Sequence, residues 1–537
     1  MINHNKRCTL HKSRLEFRFP FDRTMIARIK AEVPGRRWNP DGKVWHCDAT
    51  AANVEIARRL GFAMSKEIEQ RFKAVQDDEP KPAIPAELAN RLYPFQRDGV
   101  EWLIERNGRA LIGDEMGLGK TVQALGYLAA YPDKRALVVC PASLKLNWRK
   151  EARMWLGAKA DILDGTTEYI LCTNRRITII NFDILKAWRV ELTQAKFDVL
   201  ILDEVHYCKN TTAQRTKAVQ SLAKSIPHVI ALSGTPITNR PMEFFTPINL
   251  ITPGLFPNRF QYGKKYCNAK HNGFGWDFSG SSNTKELHSI LTASIMLRRK
   301  KIDVLKDLPA KRRHVIPMDM DANGASEYRT AENNFIKWLR NLDPKKAASA
   351  KNAEALVKIG YLKRLAADAK YSNCLAWIRD MLESGGKLVL FAVHKAMIAR
   401  LMSDLQDFNP VKVDGSVSGV KRNEAVERFQ TDDECRVFVG NIQAAGVGIT
   451  LTAAADTVFL ELDWTPGNHD QAEDRVHRIG QTAQSVNAWY LLTENTIESE
   501  LADLIDHKRK VLTAVLDGED VDDSSMLSAL LAEYVER

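Results

Sequence analysis

Lys120 and Thr121 end a short stretch whose residue types could bind a nucleoside triphosphate. The stretch is GDEMGLGKT (113–121), which follows apolar residues and precedes a helix-forming segment. Gly117 and Gly119 let the backbone curl so that its N–H groups point at phosphate oxygens, and the N-terminus of the next helix adds partial positive charge. We expect Lys120 to reach the β- and γ-phosphates of ATP, and the Thr121 hydroxyl to bind Mg²⁺.

The glycine spacing departs from the strict phosphate-loop pattern at one position. In GxxxxGK[ST] the first glycine would fall on Asp114, whereas Gly113 lies one place earlier. The alternative interpretation is a glycine-rich turn that binds no ligand. The strand before it, the helix after it and the Lys-Thr pair in register favour the phosphate loop.

Two adjacent acids are candidate catalytic carboxylates. They end the apolar run of FDVLILDEVH (197–206), which is typical of a buried strand. Open α/β sheets bind ligands at the carboxyl edge, where this strand would deliver Asp203 and Glu204. We expect Asp203 to hold Mg²⁺ through its water shell, and Glu204 to orient and deprotonate the attacking water. Alone, such a pair is more often a helix cap, but the phosphate loop upstream favours catalysis.

Two arginines further along the chain could complete such a site. QAEDRVHRIGQ (471–481) places Arg475 and Arg478 on one face of a predicted helix. Two such arginines can reach across a cleft to a γ-phosphate and stabilise charge in the transition state. The alternative is a helix with ordinary surface salt bridges to Glu473 or Asp474, which the segment taken alone would favour.

The whole chain limits which classes of protein are possible. It has 537 residues, enough for three or four domains at roughly 100–200 residues each. We find no apolar stretch long enough to span a bilayer and no secretory signal. The eight cysteines form no CxxC pair, so we expect a reducing cytosol without disulfides or zinc. The excess of Lys and Arg (77) over Asp and Glu (67) fits a polyanion partner or a solvated basic surface.

Two series of apolar runs predict an α/β fold with two parallel sheets in tandem, each covered by helices on both faces. The first series is ALVVC (136–140), ITII (177–180), DVLILD (198–203) and VIALS (229–233), and the second is KLVLFA (387–392), RVFVG (436–440), DTVFLE (456–461) and AWYLL (488–492). We predict a small α+β module at 1–75, a proline-rich linker at 76–87, a first lobe at 88–315, a mainly helical connector at 316–383, a second lobe at 384–512, and an acidic tail with a short helix at 513–537.

The order of the motifs resembles the Swi/Snf-type DNA translocases, a family of superfamily-two helicases. The motifs are LYPFQRDGVEWL (92–103), GDEMGLGKT, VVCPASLKLNW (138–148), DEVH, LSGTPITNRP (232–241), VLFAVHK (389–395), VDGS (413–416), the GVGITLT segment and QAEDRVHRIGQ. The resemblance covers about 90 to 512. Val205 stands where the family often has a small residue, and GNIQAAGVGITLT lacks the usual Ser-Thr-Arg start. Neither departure removes a charge that the ATP chemistry needs.

This resemblance implies two RecA-like P-loop lobes, with ATP bound between them and duplex DNA lying across both. The implied roles are adenine reading by Gln96, binding of ATP and Mg²⁺ by Lys120 and Thr121, catalysis by Asp203 and Glu204, coupling of hydrolysis to movement by Ser233 and Thr235, lining of the cleft by Gln471, and arginine fingers at Arg475 and Arg478.

FPFDRTMIARIKAEVPGRRWNPDGKVW (19–45) resembles the HARP module found in annealing helicases of this family, which is implicated in recognising branched DNA. The residues that would combine phosphate contact with base stacking are Arg36, Arg37, Trp38, Lys43 and Trp45. The alternative is that both tryptophans are core residues of a tiny domain.

A further basic run, LRRKKIDVLKDLPAKRR (297–313), contains Arg298 and Arg299 and resembles the family's stretch that leaves the first lobe. It could grip DNA phosphates without reading sequence, or be a solvated connector.

We therefore predict a DNA-stimulated ATPase that translocates on double-stranded or forked DNA, with fork remodelling or strand annealing as its use. The alternatives are a strand-separating helicase and a non-hydrolysing DNA-binding scaffold. We expect a monomer that binds no membrane and no zinc. From the compact size we expect a bacterial or phage protein that is cytoplasmic and nucleoid-associated.

Overall fold

The fold is described from a computed structural model. It describes residues 6–11, 14–33, 35–71, 81–167, 175–237, 240–271, 275–340, 348–446 and 448–517. The chain forms two compact units, one of Met1–Pro82 with Thr252–Pro257 and one of Ala83–Ile251 with Asn258–Arg537. Part of the predicted linker (76–80) and the predicted acidic run and final helix (from 518 on) lie outside the described residues.

The N-terminal unit has the predicted α+β fold. Its elements are β1 (Arg7–His11), β2 (Arg14–Arg18), α1 (Arg23–Glu32), β3 (Arg37–Asn39), β4 (Val44–Asp48), α2 (Ala51–Arg59), β5 (Ala63–Met64) and α3 (Lys66–Arg71). The strand order is β3-β4-β2-β1-β5. Alternating residues of β2, Leu15 and Phe17, are buried beneath α1, whose Met25 and Ile29 share the same core. β3 and β4 form a hairpin, in which they pair antiparallel with Trp38 opposite Trp45.

The first lobe of the larger unit is built on a seven-stranded parallel sheet. Its strands are β6 (Arg109–Ile112), β7 (Ala136–Cys140), β8 (Ala160–Ile162), β9 (Ile177–Asn181), β10 (Val199–Asp203), β11 (His228–Leu232) and β14 (Met296–Leu297). Between β11 and β14 the chain forms a separate two-stranded ribbon of β12 (Lys270–His271) and β13 (Trp276–Asp277). Its helices are α4 (Ala86–Ala89), α5 (Pro94–Glu105), α6 (Lys120–Ala130), α7 (Lys145–Leu156), α8 (Arg189–Gln194), α9 (Gln214–Ser225), α10 (Phe245–Ile251), α11 (Arg259–Tyr266), α12 (Thr284–Ser294) and α13 (Lys301–Val304).

The order in this sheet is β14-β6-β11-β10-β7-β9-β8. Every residue of β7 and β9 is buried, so side chains on both faces of the sheet are covered. That burial explains why these strands are continuous apolar runs in the sequence rather than alternating ones. The carboxyl ends of β6 and β10 lead into the phosphate loop and the acid pair, with β11 between them.

The second lobe has a six-stranded parallel sheet. Its strands are β15 (Ala310–Pro317), β16 (Leu388–Ala392), β17 (Val411–Val413), β18 (Val437–Asn441), β19 (Asp456–Phe459) and β20 (Ser485–Leu492), in the order β15-β20-β19-β16-β18-β17. Three helices lie between β15 and β16: α14 (Ala322–Arg340), α15 (Ala348–Ala369) and α16 (Tyr371–Glu383). The helices that follow β16 are α17 (Lys395–Asp404), α18 (Gly419–Thr431), α19 (Ile442–Ala445), α20 (Pro466–Glu473) and α21 (Ile497–Asp517). Two parallel sheets, each covered on both faces, confirm the predicted α/β fold class.

The predicted boundary of the first lobe at 315 is wrong. The edge strand β15 pairs in parallel with β20 along all eight residues and belongs to the second sheet. Its AKRRHVIP sequence is basic, and most of its residues are exposed or half-buried, so it lacks the apolar run that marked the other strands. The later boundaries shift as well, because α16 packs into the second lobe's core and α21 continues to Asp517, beyond the predicted end at 512.

Within the described part of the chain, no helix is both long and apolar enough to cross a membrane.

Candidate active site

The phosphate loop curls as its glycines predict. Gly117 and Gly119 have φ angles of 84° and 76°, in the left-handed region that favours glycine. A methyl group on Gly119 would lie 2.4 Å from Gln96 Nε2, so no larger residue fits there. Gly119 caps α6, which starts at Lys120. Lys120 Nζ points back into the loop and donates to the carbonyl oxygens of Asp114 (2.8 Å) and Glu115 (3.0 Å).

Asp114, the departure from the strict glycine pattern, has a structural partner. Its buried carboxylate accepts from Arg299 Nε (3.0 Å) and Gln123 Nε2 (3.0 Å). Arg299 also donates to the carbonyl of Phe95 and to Gln123 Oε1. This cluster anchors the phosphate loop to the chain that leaves β14. The guanidinium of Arg299 is held inside the first lobe by these contacts, and the DNA contact by Arg299 stays a prediction.

The side chain of Gln96 contacts the phosphate loop. Its side chain is 4% exposed, and its Nε2 donates to the carbonyl of Leu118 across 3.2 Å. Its Oε1 accepts from the backbone N–H of Tyr93, which caps the start of α5. The residue thus joins α5 to the loop, and adenine reading by Gln96 stays a prediction.

The two acids lie beside Lys120 at the carboxyl end of β10. Trp148 Nε1 donates to Asp203 Oδ2 across 2.7 Å. Burial and the neighbouring Glu204 carboxylate raise the pKa of Asp203 to about 7, against the opposing effects of Trp148 and Lys120. Burial alone would raise the pKa of Glu204, but the hydrogen bond and charge of His206, with Lys120 and Arg475, outweigh it and lower that pKa.

Glu204 is held by residues on two elements. His206 Nδ1 lies 3.3 Å from Glu204 Oε2, and Ser233 Oγ donates to the same oxygen across 3.4 Å. Glu204 itself has a φ of 54°, a left-handed conformation that is costly for a side-chain-bearing residue and is frequent at functional sites. Trp148 and His206 lie within the motifs VVCPASLKLNW and DEVH, but the spacing of residues in these motifs predicts no role for either side chain.

Thr235 joins the two lobes at this site. Its Oγ1 accepts from Gln471 Nε2 of the second lobe across 3.1 Å. Ser233, two residues earlier, contacts Glu204. The two residues predicted to couple hydrolysis to movement therefore lie between Glu204 and the second lobe.

The two predicted arginine fingers face the phosphate loop, but they do not lie on a helix. Helix α20 ends at Glu473, and Arg475 and Arg478 occupy the turns that follow. Both donate to the carbonyl oxygen of Ile449, at 3.3 and 3.2 Å, and this shared acceptor keeps them side by side.

The arginines are also close to the first lobe. The guanidinium of Arg475 lies 3.8 Å from Met116 Sδ in the phosphate loop, and a methyl group on Gly117 would lie 2.9 Å from Arg478 Cβ. Burial and the neighbouring Arg478 lower the pKa of Arg475 to about 10, and Glu204 opposes that shift. Arg475 remains cationic at neutral pH, so the second lobe supplies positive charge at the loop.

Glu473 and Asp474 do not pair with these arginines, contrary to the alternative raised from the sequence. Both carboxylates accept from Lys311 Nζ on β15, at 2.8 and 3.1 Å. Arg313 donates to Glu473 across 2.7 Å, and Lys301 of the first lobe pairs with Asp474 at 2.9 Å. A buried network of charges thus fixes the segment that carries the arginines.

We expect Glu473→Gln to destabilise the second lobe by about 1.5–3 kcal/mol, because Lys311 and Arg313 each lose one of their two carboxylate partners and keep Asp474 and Asp470. Burial would raise the pKa of Glu473, but Lys311 and Arg313 outweigh it and hold that pKa far below its usual range. The stability gained from this carboxylate is present above the unfolded-state pKa of about 4.3 and is lost as pH falls further. Urea unfolding followed by circular dichroism at several pH values measures both effects.

Glu434→Gln, at an exposed position of the same lobe, is the matched control and should change stability by no more than about 0.5 kcal/mol. A deficit for Glu473→Gln that is no larger than the control's, or that grows as pH falls, would contradict the assignment.

Arg298 is held within the protein, like Arg299. Its Nε donates to Asp517 Oδ1 of α21 across 2.8 Å, and its NH1 donates to the carbonyl of Gly113 across 2.9 Å. Lys300 pairs with the same aspartate at 2.7 Å. The guanidinium of Arg298 thus joins the last described helix to the start of the phosphate loop, and the phosphate grip by Arg298 stays a prediction.

The N-terminal hairpin keeps part of its predicted surface available. Trp38 is 48% exposed, and its ring centroid lies 5.5 Å from that of Trp45. Arg37 and Lys43 are exposed, whereas Arg36 donates to the carbonyl of Val33. Trp45 is half-buried against the module's core. One tryptophan is therefore available to a partner, and the other resembles the core residue of the alternative interpretation.

The oxygen atoms at this site suit Mg²⁺. Thr121 follows Lys120 in the first turn of α6, and Asp203 is close enough to Lys120 for their charges to interact. Mg²⁺ favours one or two protein oxygen ligands with phosphate oxygens and water completing its shell, and this donor set fits that preference. In the described residues, no group of three or more His, Cys, Asp or Glu side chains is placed to hold a metal on its own.

Comparison with known proteins places this geometry in a family. Residues 95–370 match the SNF2-related domain, and residues 370–480 match the helicase conserved C-terminal domain. The chain belongs to the SNF2-related family. The predicted resemblance to the Swi/Snf-type family is confirmed.

Three SNF2-related relatives illustrate the match. The SWI/SNF-related matrix-associated actin-dependent regulator of chromatin subfamily A-like protein 1 of Xenopus tropicalis is 39% identical over 80% of this chain and 45% of its own. Its Caenorhabditis elegans homolog is 34% identical over 94% of this chain and 74% of its own. The human DNA annealing helicase and endonuclease ZRANB3 is 35% identical over 81% of this chain and 41% of its own.

The chain spans less than half the length of the Xenopus and human SNF2-related proteins. All three of these relatives come from animals, so the expected bacterial or phage source and nucleoid association stay predictions.

Proposed function

We propose that this chain hydrolyses ATP between its two lobes and uses lobe closure to translocate on duplex or forked DNA. One observation carries the proposal: Arg475 of the second lobe lies against Met116 of the phosphate loop and interacts electrostatically with Glu204. A site assembled from both lobes can link each hydrolysis to a change in the distance between them.

The proposed chemistry assigns each residue a task. Lys120 binds the β- and γ-phosphates, and Thr121 and Asp203 hold Mg²⁺, which when bound neutralises charge on phosphate oxygens. Glu204 accepts a proton from the attacking water, and its lowered pKa keeps it ionised for this task at neutral pH. Arg475 and Arg478 stabilise the charge that builds on the transferred phosphoryl group.

The proposed coupling runs through two short contacts. The Ser233 hydroxyl donates a hydrogen bond to Glu204, so Ser233 responds to a change in the position or charge of that carboxylate. Thr235 accepts a hydrogen bond from Gln471 of the second lobe. A change at Glu204 on hydrolysis can therefore loosen the contact that keeps the lobes together.

The proposed DNA substrate rests on composition and on the relatives. The net charge of +10 suits a polyanion, and a protein named DNA annealing helicase is among the relatives. We infer binding led by the DNA backbone, which weakens steeply with salt and depends little on sequence. Fork remodelling or strand annealing is the proposed use, with the N-terminal hairpin contacting the branch through Arg37, Trp38 and Lys43.

We expect forked DNA to stimulate ATP turnover at lower concentrations than plain duplex, and single strands to be the weakest activator. Trp38→Ala combined with Arg37→Ala should remove the preference for the fork, because one stacking contact is worth about 1–3 kcal/mol, or roughly 5- to 150-fold in affinity. Half-saturating DNA concentrations for the three substrates measure this preference.

Phe21→Ala is the control, because Phe21 is 80% exposed in the same unit but lies outside the hairpin. Equal stimulation by all three DNAs, unchanged in the double variant, would remove the fork from the proposal and leave the duplex ATPase.

A further inference from the structure

Trp148 is a core residue whose polar atom contacts a predicted catalytic group. Its side chain is 1% exposed, and its indole N–H needs a hydrogen-bond partner when buried. That partner is Asp203 Oδ2, at 2.7 Å. The indole therefore fixes one oxygen of the carboxylate and leaves the other for the proposed Mg²⁺ site.

The helix that carries Trp148 also presents positive charge to solvent. Arg149, Lys150 and Arg153 of α7 are exposed. They line a groove of about 1370 Å³ together with Lys159 and Arg175. The other wall of the groove includes Val420, Asn423 and the acids Glu424 and Glu427 of α18 in the second lobe. Clustered arginine and lysine side chains on one helix are suited to the phosphates of a nucleic-acid backbone.

α7 is one rigid helix that carries Trp148 on its buried face and Arg149 on its exposed face. Trp148 and Arg149 are adjacent in its second turn, so a shift of the helix moves both. The start of α7 also meets the second lobe, since a methyl group on Gly419 would lie 3.6 Å from Leu146. The helix is thus placed between a charged groove, the second lobe and Asp203.

We propose that Trp148 is a positioning residue that transmits the binding of DNA phosphates on α7 to the orientation of Asp203. The inference rests on the proposed function, and it explains how DNA can stimulate hydrolysis from a surface outside the nucleotide cleft. Phosphates bound by Arg149 and Arg153 fix α7 in one position. Trp148 then holds Asp203 with its free oxygen toward the Mg²⁺ site.

Thermodynamic linkage makes this coupling measurable without turnover. If DNA on α7 favours the Mg²⁺-binding orientation of Asp203, duplex DNA must lower the Mg²⁺ concentration needed to bind nucleotide. The probe is a fluorescent, non-hydrolysable methylanthraniloyl ATP analogue, titrated with MgCl₂ with and without a blunt duplex of several helical turns. For the full chain we expect the half-saturating Mg²⁺ concentration to fall at least about 5-fold on adding duplex.

Trp148→Phe keeps an aromatic ring but removes the N–H, and should abolish this DNA-dependent shift. Trp155→Phe is the matched control on the same helix, because it also removes an indole N–H, the one that donates to Glu151 across 2.8 Å. It should keep the shift. Arg149→Ala combined with Arg153→Ala alters only exposed side chains and should lose the shift as Trp148→Phe does, so the test holds even if Trp148→Phe unfolds.

The outcomes separate the two proposals. A full chain that hydrolyses ATP with DNA but shows no DNA-dependent shift in Mg²⁺ overturns the role of Trp148 and leaves the proposed function. So does a shift retained in the folded Trp148→Phe variant or in the double arginine variant. Absence of ATP turnover with every DNA overturns the proposed function itself.

Discussion

Replacing Arg475 by alanine is expected to lower kcat for DNA-stimulated ATP hydrolysis by about 10³-fold or more. The guanidinium is buried against the phosphate loop and is held by the carbonyl oxygens of Gln471 and Ile449. It thus supplies a preoriented charge where the γ-phosphate is proposed to lie. Steady-state phosphate release at saturating ATP and duplex DNA measures the loss.

Binding and folding must be followed in the same variant, since Arg475→Ala also removes the donor to the carbonyl oxygen of Gln471 and one of the two donors to that of Ile449. Nucleotide affinity should change far less than kcat, because the charge acts on the transition state. Arg475→Lys should recover little activity, because an ammonium cannot reproduce the planar fork of donors.

Arg428→Ala is the control, an arginine of the same lobe that is about half exposed and pairs with Asp432 at 3.3 Å. A kcat for Arg475→Ala within a few-fold of this control would show that the second lobe does not take part in the chemistry.

Glu204→Gln is expected to lower kcat by about 10²–10⁴-fold while nucleotide binding is retained. The amide keeps the size of the side chain and its contacts with Ser233 and His206, but it cannot accept a proton from water. The lowered pKa of Glu204, caused against burial by His206, Lys120 and Arg475, means that the wild-type group is already ionised at neutral pH. Phosphate release during a single turnover gives kcat, and binding of labelled nucleotide gives the affinity.

Glu105→Gln provides the comparison, because Glu105 is a largely exposed acid of the first lobe that pairs with Arg106 at 3.6 Å. Turnover in Glu204→Gln equal to that of this control would place the proton acceptor elsewhere. Loss of nucleotide binding together with turnover would instead indicate that Glu204 supports the fold of the site.

The buried parallel strands were predictable from the sequence because helices cover both faces of each sheet. Their residues are therefore continuously apolar and do not alternate with polar ones. β7 and β10 are apolar on both faces. The carboxyl ends of β6 and β10 deliver the candidate site residues where open α/β sheets bind ligands. The strand β15 was not predictable in this way, because an exposed edge strand can be basic. Its membership in the second sheet depends on pairing with β20, which is far away in the sequence.

The site residues divide in the same way, into those predicted from local sequence and those that depend on contacts between distant segments. Local spacing predicted the phosphate loop and the acid pair, both of which form within a few residues of a strand. The departure at Asp114 could not be interpreted from spacing, since its partner Arg299 lies 185 residues further along the chain. Trp148 was missed for the same reason, because its contact with Asp203 spans 55 residues.

Steady-state ATP turnover by the full chain, with and without duplex DNA at low salt, tests the central claim most directly. We expect little hydrolysis alone, a stimulation of at least about 10-fold by duplex DNA, and loss of both in Lys120→Ala, since a lysine at the β- and γ-phosphates is part of the machinery. No turnover with any DNA, together with DNA binding that Lys120→Ala leaves unchanged, would contradict the motor and leave a DNA-binding scaffold.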